Sequence, residues 1–101
     1  MSRYRLSDAA DADLTAILWQ GLERFGVART ERYLQESEEA FDRLGRFPES
    51  ARARTELTPP VRAYPMSAHI IIYEIADGEI VILRIRSARE NWMASPLEDA
   101  E

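Results

Sequence analysis

Two β-branched runs constrain this chain more than any other feature. His69-Ile70-Ile71-Ile72-Tyr73-Glu74-Ile75 and Ile80-Val81-Ile82-Leu83-Arg84-Ile85-Arg86 flank Ala76-Asp77-Gly78-Glu79. A tight hairpin turn needs positive φ at its centre, and an Asp-Gly pair supplies it cheaply. The second half therefore predicts an antiparallel hairpin. Val61-Arg62-Ala63-Tyr64, ended by Pro65, predicts a third strand after an irregular stretch from Arg46 to Pro60. Such a sheet must be covered on at least one face.

The first half supplies the cover. Tyr4-Arg5-Leu6 suits a short opening strand (1–6), and Ser7 suits an N-cap. Asp8, Asp11 and Asp13 then favour the positive end of a helix dipole. Leu14, Ile17, Leu18, Gly21, Leu22 and Phe25 recur every three or four residues, which predicts a helix over 8–25 stopped by Gly26. Tyr33, Leu34, Ser37, Ala40, Phe41 and Leu44 make the stripe of a second helix over 28–45, closed by Gly45 and Pro48. So short a break makes the two helices antiparallel neighbours. The expected fold is α+β: an N-terminal strand, an antiparallel helical hairpin, a three-stranded antiparallel sheet over 61–87 and a short, frayed tail over 88–101. One helical turn is expected around Asn91 to Ala94, before Pro96. Residues 1–101 are expected to form a single domain, since cores of roughly 100–150 residues are usual.

Composition removes several chemistries. With no cysteine, there is no disulfide, thiolate nucleophile or Cys-ligated metal; His69 is the sole histidine, so a His-rich metal site is excluded. No apolar run approaches the ~20 residues that span a bilayer, and no apolar segment follows the charged start. A cytoplasmic protein with no membrane association, no cofactor and no metal is expected. The net charge of -5 argues against binding nucleic acid through net charge. All 13 cations are arginine. Arginine presents a planar fork suited to carboxylate or phosphate, and the lack of lysine leaves no side-chain amine for acid/base or Schiff-base work.

Strict alternation along the last strand puts Val81, Leu83 and Ile85 on the helices and Ile82, Arg84 and Arg86 on the opposite face. Arg62 and Arg89 join that face as an open arginine patch for an acidic peptide or a phosphate backbone. The competing reading is a solvated face neutralised by Glu74 and Glu79. Trp19 lies off the main stripe of the first helix and suits a partly exposed anchor for a partner. Trp92 must bury itself, in the chain or in a partner. Tyr64 and Tyr73 line a site or simply pack. His69 lacks a second imidazole or thiol nearby and reads as structural.

The order of motifs carries a resemblance over nearly the whole chain. Tyr4-Arg5-Leu6-Ser7, Ala9-Ala10-Asp11-Ala12-Asp13-Leu14, Phe25-Gly26, Phe41-Asp42-Arg43-Leu44, Val61-Arg62-Ala63-Tyr64-Pro65 and Leu83-Arg84-Ile85-Arg86-Ser87-Ala88-Arg89 follow at family-like spacing. The chain resembles the ParE toxins of the RelE/ParE superfamily, the toxin halves of type II toxin–antitoxin systems. It departs where many members have His-Gly, here Ser87-Ala88, and in its acidity. The resemblance implies a toxin that poisons DNA gyrase and blocks replication, held in a hetero-oligomer by a ParD-like ribbon-helix-helix antitoxin. DNA is then met only through the antitoxin. Arg62, Arg84, Arg86, Arg89 and Trp92 are expected to engage the target, and Trp19, Tyr33 and Tyr73 the antitoxin. No catalytic residue is assigned. The alternatives are a RelE-like ribosome-dependent mRNA interferase and a non-toxic antitoxin-binding module. The former is disfavoured by the absence of lysine, of tyrosine after Tyr73 and of histidine after His69.

Overall fold

The computed structural model describes residues 3–98. Strand β1 (Tyr4–Leu6) leads into helices α1 (Asp8–Phe25) and α2 (Val27–Arg46). After a 3-10 turn at Pro48–Ser50 come β2 (Ala53–Arg54), β3 (Val61–Met66), β4 (His69–Ala76) and β5 (Glu79–Ser87), then a second 3-10 turn at Trp92–Ala94. The strands form one five-stranded mixed sheet in the order β1-β5-β4-β3-β2. β1 lies parallel to β5, and the other pairs are antiparallel. The expected three-stranded sheet is thus extended at both edges, by β1 and by the short β2 inside the stretch expected to be irregular. β3 also runs through Pro65 to Met66 instead of ending before it.

Local chemistry sets the helix ends. The Ser7 hydroxyl caps α1 by accepting from Ala10 N at 3.0 Å. Gly26, at φ 82°, ends α1 and starts α2, a left-handed conformation that favours glycine. Gly45 does not stop α2. It lies buried in the last turn, where a Cβ would stand 3.2 Å from Arg3 Cβ, so the glycine permits a close approach. At the β4–β5 turn, Asp77 and Gly78 both have positive φ, as the hairpin requires.

The sheet has an apolar cluster on each face. Ala10, Phe41, Leu44, Ile71, Tyr73, Ile80, Ile82 and Ile85 pack together on the helical side. Val61, Ala63, Ile72 and Trp92 pack on the other, with Leu57, Ile70, Leu83 and Leu97 against them. Simple alternation along β5 fails at Leu83. Ile72 is opposite Arg84 while Tyr73 is opposite Ile82, leaving Leu83 as the extra residue of a β-bulge. The phase therefore shifts by one: Ile82 faces the helices with Ile85, whereas Leu83, expected on the helices, packs on the far side. Val81, also expected on the helices, alternates with Ile80 and Ile82 and shares the far side with Leu83.

Burial separates two chemically identical side chains. Phe41 is 2% exposed and Phe25 56% exposed. Phe41→Ala should cost ~3–5 kcal/mol in urea unfolding, whereas Phe25→Ala should stay within about 0.5 kcal/mol of the parent.

Candidate functional site

The bulge leaves main-chain groups of β5 outside the regular ladder, and α1 serves them. The Ser7 hydroxyl donates to Leu83 O at 2.9 Å, and Ile85 N donates to Asp13 Oδ2 at 2.9 Å. The same carboxylate takes a bidentate fork from Arg84, Nε to Oδ2 and Nη2 to Oδ1, both at 2.7 Å. Bidentate arginine–carboxylate pairs of this kind are strong and directional. Arg84 Nη1 then donates to Leu97 O at 3.0 Å. Arg86 is fastened similarly. Its Nε donates to Glu90 Oε1 at 2.7 Å, and its Nη1 donates to the carbonyls of Ser95, Pro96 and Glu98.

The arginine patch is therefore not open. Arg84 is 7% exposed and Arg86 6%, both under the C-terminal tail and on the far face from Ile85, as alternation requires. Their partners are Asp13 and Glu90, not the expected Glu74 and Glu79; Glu79 instead pairs with Arg5 at 3.3 Å. Nor is the tail frayed through Glu98, since Trp92 and Pro96 are buried within it. Residues 99–101 lie outside the described residues. Trp92 closes the far-face cluster, with the Arg54 guanidinium 5.4 Å from its ring. The structure thus brings Arg84, Arg86 and Trp92 together. Arg89 is exposed just beyond them. Arg62 is not part of the group: its neighbours Val61 and Ala63 face Trp92, so its own side chain takes the opposite face, where Nη1 donates to Ala51 O at 2.5 Å.

A second candidate surface lies along the helical hairpin. Trp19 is 64% exposed, and Leu22, Phe25 and Val27 are exposed near it. Of these, Trp19 lies on another face of α1 and only Phe25 lines the neighbouring cleft of about 680 Å³, with Ile17, Gly21, Thr30, Tyr33 and His69 among others. Arg24, Arg29 and Arg32 also line it, against a single carboxylate, Glu36. The Arg29 guanidinium stacks 4.5 Å from the centre of the Phe25 ring. Gly21 lets the helices meet, since a Cβ there would stand 2.9 Å from Thr30 Oγ1.

Tyr33 and His69 form the inner wall. Tyr33 Oη and His69 Nδ1 are hydrogen-bonded at 3.0 Å, joining α2 to the start of β4. Burial pushes the phenol up to about 12, and burial also lowers the imidazole, opposed by the nearby Glu90 charge. Both groups are neutral at pH 7, which makes the wall a polar but uncharged contact. Tyr73, expected beside Tyr33 on this surface, is fully buried instead. It sits on a central strand facing the helices, and its hydroxyl donates to Pro48 O at 2.8 Å while accepting from Ala51 N at 3.2 Å. Asp13 went unassigned in the sequence, because an acidic residue in the first turns of a helix is accounted for by the dipole alone. Among the described residues, no group of three His, Cys, Asp or Glu side chains is arranged to hold a metal ion, and no helix is long and apolar enough to cross a membrane.

Residues 4–92 match the sequence profile of the family described as ParE toxin of type II toxin-antitoxin system, parDE. The chain belongs to this family. It is 36% identical over 89 residues to Toxin ParE1 of Mycobacterium tuberculosis, covering 87% of this chain and 91% of that protein. It is 30% identical over 94 residues to Toxin ParE3 of Caulobacter vibrioides, covering 93% and 94% respectively. A solved structure described as the chromosomal ParDE TA system from P. aeruginosa shares the fold, with a TM-score of 0.73 at 24% identity over 86% of this chain and 96% of that one. In this ParE-family chain, then, both candidate surfaces sit on a toxin scaffold.

Asp13→Ala leaves a buried guanidinium without its carboxylate and should cost about 3–5 kcal/mol in denaturant unfolding. Acid should act through Glu90 as well. The Arg86 hydrogen bond holds the Glu90 carboxyl below the usual carboxylate range. The unfolded chain then binds the proton first as pH drops. The stability this pair contributes is complete above the unfolded value of about 4.3 and is lost as pH falls through the lower folded value. Glu90→Gln should flatten that limb of a stability–pH curve between roughly pH 5 and 3.

Proposed function

We propose that this ParE-family chain is a toxin that acts by binding, with DNA gyrase as its target, and that a ParD-like ribbon-helix-helix antitoxin neutralises it in the cytoplasm. The observation that carries the binding reading is the engagement of Arg84 and Arg86. An mRNA interferase of the RelE type needs a titratable acid or base beside the scissile phosphate, which arginine does not supply, and donors aimed at phosphate instead of carboxylates and carbonyls. Here both guanidiniums are committed to Asp13, Glu90 and main-chain carbonyls. The acidity of the whole chain also favours protein partners over direct nucleic-acid contact, so DNA would be reached through the antitoxin.

The hairpin surface suits the antitoxin. Exposed Trp19, Leu22, Phe25 and Val27 can bury the apolar side of an amphipathic segment. Arg24, Arg29 and Arg32 can meet its carboxylates at the rim. Trp19, outside the cleft, offers a separate exposed aromatic anchor of the kind that forms binding hot spots.

Purified full-length chain should inhibit supercoiling by gyrase, with a cleaved-DNA complex accumulating, and equimolar antitoxin should relieve it. Active gyrase at saturating toxin would reject the target; cut transcripts on expression would favour the interferase, and antitoxin binding without growth arrest a non-toxic module. Trp19→Ala should weaken antitoxin binding by ~2 kcal/mol or more by calorimetry, without changing the fold.

A further inference from the structure

Arginine is a costly way to fasten a tail. Replacing a buried ion pair by well-packed apolar side chains is often neutral or stabilising, so apolar residues at 84 and 86 would hold the same segment at no loss. A guanidinium has the advantage when its face must also meet water. It stays charged, keeps its planar fork, and leaves no sticky apolar surface when uncovered.

The geometry around the two arginines fits such a double life. The floor is apolar, made by Val61, Ala63, Ile72 and Leu83. Most of the polar contacts to the cover are ones that any peptide can make. Arg86 Nη1 binds the carbonyls of Ser95 at 3.0 Å, Pro96 at 3.1 Å and Glu98 at 2.6 Å, and Arg84 Nη1 binds that of Leu97. Glu90, Trp92, Pro96 and Leu97 give the site most of its side-chain identity, with Met93 Sδ accepting from Arg54 at 3.9 Å. Residues 88–98 contain no strand that would lock them to the sheet. The two carboxylates also differ in where they belong. Asp13 is on α1 and stays with Arg84 if the tail lifts, keeping its fork aimed. Glu90 leaves with the tail, so Arg86 is the guanidinium handed to an incoming carboxylate.

We propose that residues 89–98 are a displaceable cover over a peptide-docking trough, and that its occupant in the active complex is an extended segment of the toxin's protein target bearing an aromatic and a carboxylate. This rests on the reading that the arginine-bearing face meets the target. The apolar floor and the carbonyl-directed donors favour a protein segment over a nucleic acid, which offers phosphates but no main-chain carbonyls. Displacement replaces each tail contact with an equivalent one, so the exchange needs no net loss of hydrogen bonds.

The test uses the full chain in a Trp19→Phe background, where Trp92 is the remaining tryptophan. Glu90→Gln with Leu97→Ala loosens the cover and leaves both arginines intact; Leu97→Ala alone gives the same reading should the double variant not fold. Acrylamide quenching of Trp92 should rise over the parent. A fluorescein-labelled peptide of residues 88–98 should bind the loosened variant saturably and lose binding when Arg86→Gln is added. Potency, read both as growth arrest and as supercoiling inhibition, should rise roughly three- to tenfold as the open fraction grows. Unchanged quenching, no peptide binding, or greater quenching with equal or lower potency would each overturn the proposal. Displacement of the peptide by a labelled single-stranded RNA would overturn the choice of a protein occupant. Growth arrest without supercoiling inhibition in the parent rejects gyrase alone, and the comparison of covers still stands on the arrest.

Discussion

The Asp13 carboxylate holds this fold together at its least regular point. It accepts both arms of the Arg84 fork and the Ile85 amide. The amide hydrogen bond serves a main-chain group of β5 past the end of β1, and the fork fixes α1 against the sheet. Removing a partner from such a buried group costs more than the bond itself contributes, because the remaining charge has no water to turn to. The tail depends on the same bracket, since Arg84 reaches Leu97 only from the position Asp13 gives it. One helix residue thus ties α1 to β5 beside the bulge and steadies one of the two arginines that hold the tail.

That closure gives the molecule two faces of different character. The hairpin side is exposed, apolar at Trp19 and Phe25, and edged by arginines. The far side hides its arginines beneath ten or so residues of irregular chain. Under the function proposed above, an antitoxin on the first would leave the second undisturbed, so recognition and targeting would not compete for one surface.

Much of this was legible in the sequence, and the failures share a cause. Helix spans, the Gly26 break, the Asp77-Gly78 turn and the helical turn at Trp92 follow from periodicity and from local backbone requirements. The phase of β5 did not follow, because Ile80 to Arg86 alternates acceptably in either phase and one inserted residue exchanges the faces. The misplacement of Val81, Ile82 and Leu83 comes from that single residue. The burial of Tyr73 is likewise a matter of which face a central strand presents, and the Pro48 and Ala51 groups that hold its hydroxyl lie far from it in sequence. Gly45 was read as a stop when it is a contact with Arg3, since a glycine near a helix end satisfies both readings. Arg84 and Arg86 do face away from the helices, whereas Arg62, assigned to the same face, lies on the helical side, and the cover over the first two was not visible. Main-chain carbonyls of a tail carry no sequence signature.

The decisive measurement is exchange of the Arg86 Nε proton, followed by NMR across a range of denaturant concentrations too low to unfold the protein. A displaceable cover predicts that this proton exchanges through a local opening insensitive to denaturant, while the Ile72 amide in the core tracks global unfolding. Exchange of both protons with the same denaturant dependence would mean that the tail never leaves a folded sheet, and the two-faced account would be wrong.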